Sequence, residues 1–386
     1  VGEFIYGDMV LSYTLDGVAG TNTFPKQNTG VEGTSVTCDN NATATWDNSL
    51  WSIKMTNMGN GSRVKCKVAF TTQKTKTISS ITFNLNTFSP DFSKSACSDC
   101  ESKEAGVFAA EDDYGTSYYY RGSVENNYVS FAGMTWRIIR INGDGSVRII
   151  LNDTTGSSIQ FNSLSDDNAY VGYMHGTPNS STYEDTHKNV NDSKLKQSID
   201  SWYENNLKNN FESYIADTGF CGDRNKLETV SGTGIQKNTT HYYGYARIAS
   251  FLPNLKCQQS NDLYTISSAS KGNKALKYSI ATITADEIIY AGSSGGMFNG
   301  SWNYTNKSSN YLKISKNYWT MTPVGSYIYF SSIGWNANVF FVGASENIDD
   351  TYVSNFCYIR PVINLKADAI KYGTGTSSDP YRVTES

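Results

Sequence analysis

Histidine is close to absent, with only 3 residues, His175, His187 and His241, in a chain of 386. They lie far apart, and only Cys97-Ser-Asp-Cys100 has the spacing of a metal-binding cysteine pair. A zinc site needs two such pairs, or Cys with His at ligand spacing, so no metal is expected. Charge is sparse too: Asp, Glu, Lys and Arg are 18% of the residues, and the formal net charge is -4. No Lys/Arg stripe forms, which argues against nucleic acid or an acidic membrane surface as the main partner. No run of about 18 apolar residues occurs, the length a helix needs to span a bilayer. The chain begins at Val1 rather than Met, which we read as a signal or membrane anchor removed before that residue.

What is present is unusual. There are 27 Tyr against 7 Pro, and Asn, Ser, Thr and Gly dominate the polar residues. Few helix formers and many β-branched and aromatic residues favour a strand-rich fold with limited helix. The length allows two or three domains, each with its own core. Of the 7 cysteines, Cys38 is expected to pair with Cys66, Cys221 with Cys257, and Cys97 with Cys100 in a small local ring. Cys357 is left over. Spacing does not fix connectivity, but the set fits disulfides and an oxidising, extracellular setting.

Residues 1–75 read as a small all-β, sandwich-like domain. "EFIYGDMVLSYTLDG", "SLWSIKMTN" and "SRVKCKVAFTT" alternate in hydrophobicity between Asn, Gly and Asp turns, with Cys38 ahead of one strand and Cys66 inside another. Residues 76–105 read as a linker or edge strands. From 106 to 386 the pattern is α+β. "MTWRIIRINGDGSVRIILND" predicts a hairpin turning at Asn142–Gly145. "NDSKLKQSIDSWYENNLKNNFESYIAD" predicts one long helix capped by Asn191 or Asp192, with Leu195, Ile199, Trp202, Tyr203, Leu207, Phe211, Tyr214 and Ile215 on one face. Thr284-Ala-Asp-Glu287 predicts a capping box and a short helix stopped by Gly292. Strands are expected near 318–321, 337–342 and 358–365, with a loop-rich middle pinned by Cys221 and Cys257.

Catalytic signatures are weak. No Ser sits in a Gly-x-Ser-x-Gly elbow, the histidines offer no evident partner, and "SSGGMFNG" lacks the Lys-Ser/Thr of a phosphate loop. Glu111, Asp112 and Asp113 read as a solvated acidic turn rather than a calcium site. No catalytic residue and no cofactor is assigned. The segment 324–358 is different, because it crowds Tyr, Phe, Trp, Ser, Asn and Asp in no regular order. Those residue types serve antibody loops, where aromatics give contact area at low entropy and small polar groups adapt. Alternation would bury Ala337 and Val339 and leaves Phe341 open between core and surface, while Tyr327, Tyr329 and Trp335 are the anchor candidates.

"DDYGTSYYYRG", "NNYVSFAGMTWRIIRINGDGSVRIILND", "DNAYVGYMHGT", "ITADEIIYAG", "YWTMTP" and "RPVINLKAD" occur in order between about 106 and 386. This stretch resembles secreted or surface-anchored proteins of Firmicutes-type bacteria. Those carry a C-terminal C-type-lectin-like domain of the kind shared with formylglycine-generating enzymes. Some members of this fold group are variable proteins of diversity-generating retroelements, in which adenine-containing codons near the gene's 3' end are rewritten. Relatives carry Asn-rich text before the closing Arg-Pro-Val. Here Phe341, Gly343, Ser345, Asp349, Asp350, Tyr352, Ser354, Asn355 and Cys357 stand where Asn would match. Where a Gly usually precedes that motif, this chain has Tyr358 and Ile359.

The expectation is an extracellular, cell-surface display protein for ligand binding or adhesion, with about 324–358 as a variable or adaptable recognition surface. Its contact residues are expected to be Tyr327, Tyr329, Ser331, Ser332, Trp335, Phe341, Ser345, Asp349, Asp350, Tyr352 and Asn355, facing a protein or glycan. Two other classes stay open. One is a pilus or filament subunit self-associating through the N-terminal strand in "GEFIYGDMVLSYTL". The other is a formylglycine-generating-type enzyme, which the resemblance would require to hold paired cysteines in its C-terminal half, where Cys357 stands alone.

Overall fold

The structure is a computed structural model. It describes residues 4–6, 9–21, 23–27, 31–48, 50–60, 63–72, 85–96, 104–228, 232–267, 271–293, 297–298, 301–302, 310–328, 334–344 and 348–383. Among the described residues, strand accounts for 39% and helix for 13%, so the fold is mainly β with few helices. The chain divides into two compact units, 1–81 with 368–386, and 82–367. The last residues, read from sequence as the end of the 106–386 domain, thus group with the first unit, where Ile370–Tyr372 and Tyr381–Val383 form an antiparallel pair.

The first unit is organised by Val64–Thr72. Val64, Cys66, Val68 and Phe70 alternate with exposed lysines and are nearly inaccessible, while Leu11 and Tyr13 join the same core. Each such side chain contributes roughly 1.5–3 kcal/mol through burial. Met9–Leu15 runs parallel to one edge of that strand and Val31–Cys38 antiparallel to the other. Phe4–Tyr6 and Val18–Ala19 pair along the far edge of Met9–Leu15. Cys38 lies ahead of the strand Thr43–Asp47, as expected, and also ends Val31–Cys38 directly opposite Cys66, with which it forms a disulfide. A hairpin of Thr43–Asp47 and Ser52–Asn57 packs Trp46, Ile53 and Met55 against the core, with the Trp46 ring 5.1 Å from Phe70.

The second unit holds two larger sheets. Met134–Ile141 and Val147–Leu151 form the expected hairpin, closed by Gly145 N–H donating to Asn142 O at 2.8 Å, with Gly145 at φ 85°. All of Val147–Leu151 is buried, and Val362–Leu365 pairs with its other edge. The free edge of Met134–Ile141 is shared by Tyr128–Phe131 and Gly115–Arg121, and the latter pairs on with Gly106–Asp112. In the second sheet, Tyr318–Ile328 pairs with Trp335–Val342, which pairs in turn with Ile348–Tyr352. The ladder shifts register on both sides of Pro323, which has no N–H to give.

The expected long helix is shorter than its apolar pattern. It spans Lys194–Asn206 and is capped by Ser193 Oγ, not by Asn191 or Asp192. The Asn206 Nδ2 group donates to Trp202 O, and Asn205, Asn206, Asn209 and Asn210 favour leaving the helix. Phe211 and Tyr214 pack instead from a following turn, against Phe131. Ala285–Ala291 carries the predicted capping box of Thr284 and Glu287 and stops at Gly292, φ 124°. Cys221 is bonded to Cys257, and Cys357 is free and buried. Cys97 and Cys100 lie outside the described residues. Among the described residues no helix is long and apolar enough to cross a membrane.

Candidate functional site

Trp335–Val342 lies between Tyr318–Ile328 and Ile348–Tyr352, and its alternation sorts the residues around it. Ala337 and Val339 point to one side and are 0% exposed. Asn336, Asn338 and Phe340 point to the other. Directly paired residues share a face, so Tyr327, Tyr352 and Asp350 stand on this second side as well. Tyr327 OH donates to Asp350 Oδ2 at 2.5 Å. The His241 ring, carried by Thr240–His241 at the edge of the same sheet, stacks on Tyr327 at 5.4 Å. Tyr245, from the helix Tyr243–Ala249, reaches His241 at 4.6 Å. Tyr245, His241, Tyr327 and Asp350 therefore form one half-buried aromatic and polar cluster. Burial holds His241 below its ordinary pKa against the opposing pull of Asp350, which keeps the ring neutral at pH 7.

The expected contact residues divide between the two faces. Tyr327, Asp350 and Tyr352 stand on the His241 side. Phe341 and Asp349 pair on the opposite side, Phe341 half-buried across from Trp319, and Trp335 pairs with Ile328. Asn355 is exposed and donates to Thr351 Oγ1 at 2.6 Å. Tyr329, Ser331, Ser332 and Ser345 lie outside the described residues. Sequence reasoning missed His241 and Tyr245, and left His241 without a partner. The signal available was "HYYGYAR", an aromatic run with the same composition as the segment it meets.

A second cluster lies where helix Ala285–Ala291 meets the first sheet. Glu287 accepts from Arg148 Nη1 at 2.8 Å and from Arg140 Nε at 3.1 Å, and Arg140 Nη1 donates to Asp112 at 2.5 Å. Asp112 is 3% exposed, so the acidic turn expected at 111–113 is not solvated there: Arg140 neutralises it. Asp286 takes Arg247 Nε at 2.9 Å and Nη2 at 2.8 Å, and the same Nη2 reaches Asp223. Burial raises the Glu287 carboxyl, but Arg148 and Arg140 outweigh it and hold it down to about 2. For Asp223 burial wins over Arg247 and pushes the carboxyl up to about 6. Asp113, Asp223, Arg247, Asn254, Lys256 and Cys221 are among the residues lining a cavity of about 20 Å³ in this network. Among the described residues, no group of three or more His, Cys, Asp or Glu is placed to hold a metal.

No family model, no curated protein and no solved structure matches this chain.

Proposed function

We propose that the chain is an extracellular ligand-binding display protein, in which a rigid C-type-lectin-like scaffold presents about 324–358 as its recognition surface. The observation that carries this reading is the cluster of Tyr245, His241, Tyr327 and Asp350. Tyr327 and Asp350 stand on the two strands that flank Trp335–Val342, whose own Ala337, Asn338, Val339 and Phe340 are buried on both sides and hold them in place. Aromatic rings fixed by stacking bring contact area with little entropy left to lose, which is what an anchor residue needs. The disulfides Cys38–Cys66 and Cys221–Cys257 support an oxidising, extracellular setting.

The ligand class is a protein or a glycan. The test is binding of the purified chain to a glycan array and to intact cells, compared between wild type, Tyr327→Ala and Asn355→Ala. Tyr327→Ala is expected to lower binding about tenfold or more, the range of an anchor residue. Asn355→Ala removes an exposed side chain away from the cluster and is expected to change it less than threefold or so. Equal binding by Tyr327→Ala and wild type would overturn the assignment of this face.

A further inference from the structure

Asp223 and Arg247 line the charged cavity, and each has one buried polar atom without a hydrogen-bond partner, Asp223 Oδ1 and Arg247 Nη1. They belong to the two sides of one ion pair, joined through Arg247 Nη2 and Asp223 Oδ2. Asp223 is 3% exposed, and buried groups of this kind are almost always satisfied. One orphan is an acceptor and the other a donor. An ammonium would satisfy Asp223 but meet the Arg247 guanidinium as a like charge. A carboxylate or phosphate would satisfy Arg247 and meet Asp223 in the same way. A hydroxyl does both, because it donates once and accepts twice. The space, about 20 Å³, suits one such group and not a ring.

We propose that this cavity is a binding socket for one hydroxyl group of a sugar or polyol, with the rest of the ligand lying across its mouth. The mouth is polar and accessible. Lys256 has its side chain 50% exposed, and Asp113 and Asn254 are half-buried beside it. Asp113 accepts from the Cys257 N–H and Asn254 Oδ1 from the Lys256 N–H, which fixes both; in the proposal the Asn254 amide N–H groups and the Lys256 ammonium would donate to neighbouring hydroxyls. The socket is held before any ligand arrives. Asp286 fixes the guanidinium through two bonds and is itself anchored by Asn254 N–H at 2.9 Å. The Cys221–Cys257 disulfide ties the chain beside Asp223 to the chain beside Lys256. Preorganisation of this kind reduces the entropy lost on binding. This site uses different residues from the strand cluster, although the helix Tyr243–Ala249 supplies Tyr245 to one and Arg247 to the other.

Saturation-transfer NMR of the intact chain with D-mannose, D-galactose, N-acetylglucosamine and glycerol tests the proposal. At least one probe is expected to bind saturably, with glycerol alone pointing to polyols and a sugar pointing to glycans. Asp223→Ala is expected to weaken that binding about tenfold or more. Lys256→Trp, at the exposed mouth, threatens no buried contact and is expected to weaken it equally, so the test holds even where Asp223→Ala fails to fold. Tyr327→Ala reports on the strand face: sugar binding that it removes and that Asp223→Ala and Lys256→Trp leave intact belongs to that face and counts against the socket. No saturable binding by any probe, meaning that water alone fills the socket, would overturn the proposal. So would binding that Lys256→Trp leaves intact.

Discussion

Glu287 and Asp223 sit in one buried network and answer pH in opposite senses. Glu287 is held at about 2, below its ordinary 4.5, so its ionised form stabilises the fold above about 4.5. That contribution is lost as the pH falls from 4.5 toward 2. Replacing it by Gln leaves Arg148 buried without a charged partner and Arg140 with Asp112 alone, a loss of about 3–5 kcal/mol at pH 7. Denaturant titration is expected to show that difference, and to show it shrinking below pH 4.5 or so. Asp223 is raised from 3.8 to about 6, so its protonated form favours the fold and the benefit fades as pH rises through 6. Asp223→Asn is therefore expected to flatten the fall in stability that the wild type shows between about pH 4 and 6. None of this was legible in the sequence, because Asp112, Glu287 and Arg140 are far apart along the chain and only folding joins them. Arg360 of the closing "RPV" is a similar case. It is fully buried and donates to the Leu151, Asn152 and Leu312 carbonyls, so that motif is structural.

Among the elements, the hairpin of Met134–Ile141 and Val147–Leu151 was readable because its Ile and Val runs flank an Asn-Gly-Asp-Gly turn. The capping box at Thr284 was readable because its two bonds join residues three apart. Tyr243–Ala249 was not. It contains Gly244, a poor helix residue, where a Cβ would lie 2.5 Å from Thr322 Cγ2 on the neighbouring strand. Tertiary packing chose the glycine there against local propensity. The long helix failed in the other direction, since its apolar periodicity continued past the point where four asparagines end it. Ser193→Ala is expected to lower stability by about 1 kcal/mol through loss of the cap, measured by thermal unfolding. The Cys221–Cys257 bond, across a sequence separation of 36, is expected to contribute about 3–4 kcal/mol by restricting the unfolded chain. Guanidinium titration of the double Ser variant checks this, with an undiminished midpoint as the contrary result.

At the scale of the molecule, Met9–Leu15 is paired along both edges, by Val64–Thr72 on one and by two short strands on the other. Phe4–Tyr6, from the same N-terminal segment, is the end strand of that sheet among the described residues, so this pairing does not count against the filament reading; the reading proposed above is recognition. In that reading, residues 324–358 combine positions that must not change with positions free to do so. Ala337, Val339 and Val353 are fully buried, whereas Tyr327, Phe341, Asp349, Asp350, Tyr352 and Asn355 are partly or wholly accessible. The alternation of the strand was enough to place Ala337 and Val339. It could not place the recognition face, because half of that face comes from His241 and Tyr245. Sequencing this gene across many cells of the source population tests the separation of framework from contacts most directly. The account predicts replacements confined to about 324–358, at adenine-containing codons of accessible positions, with Ala337, Val339 and Val353 constant. A uniform segment, or replacements as frequent at the buried positions as at the accessible ones, would contradict it.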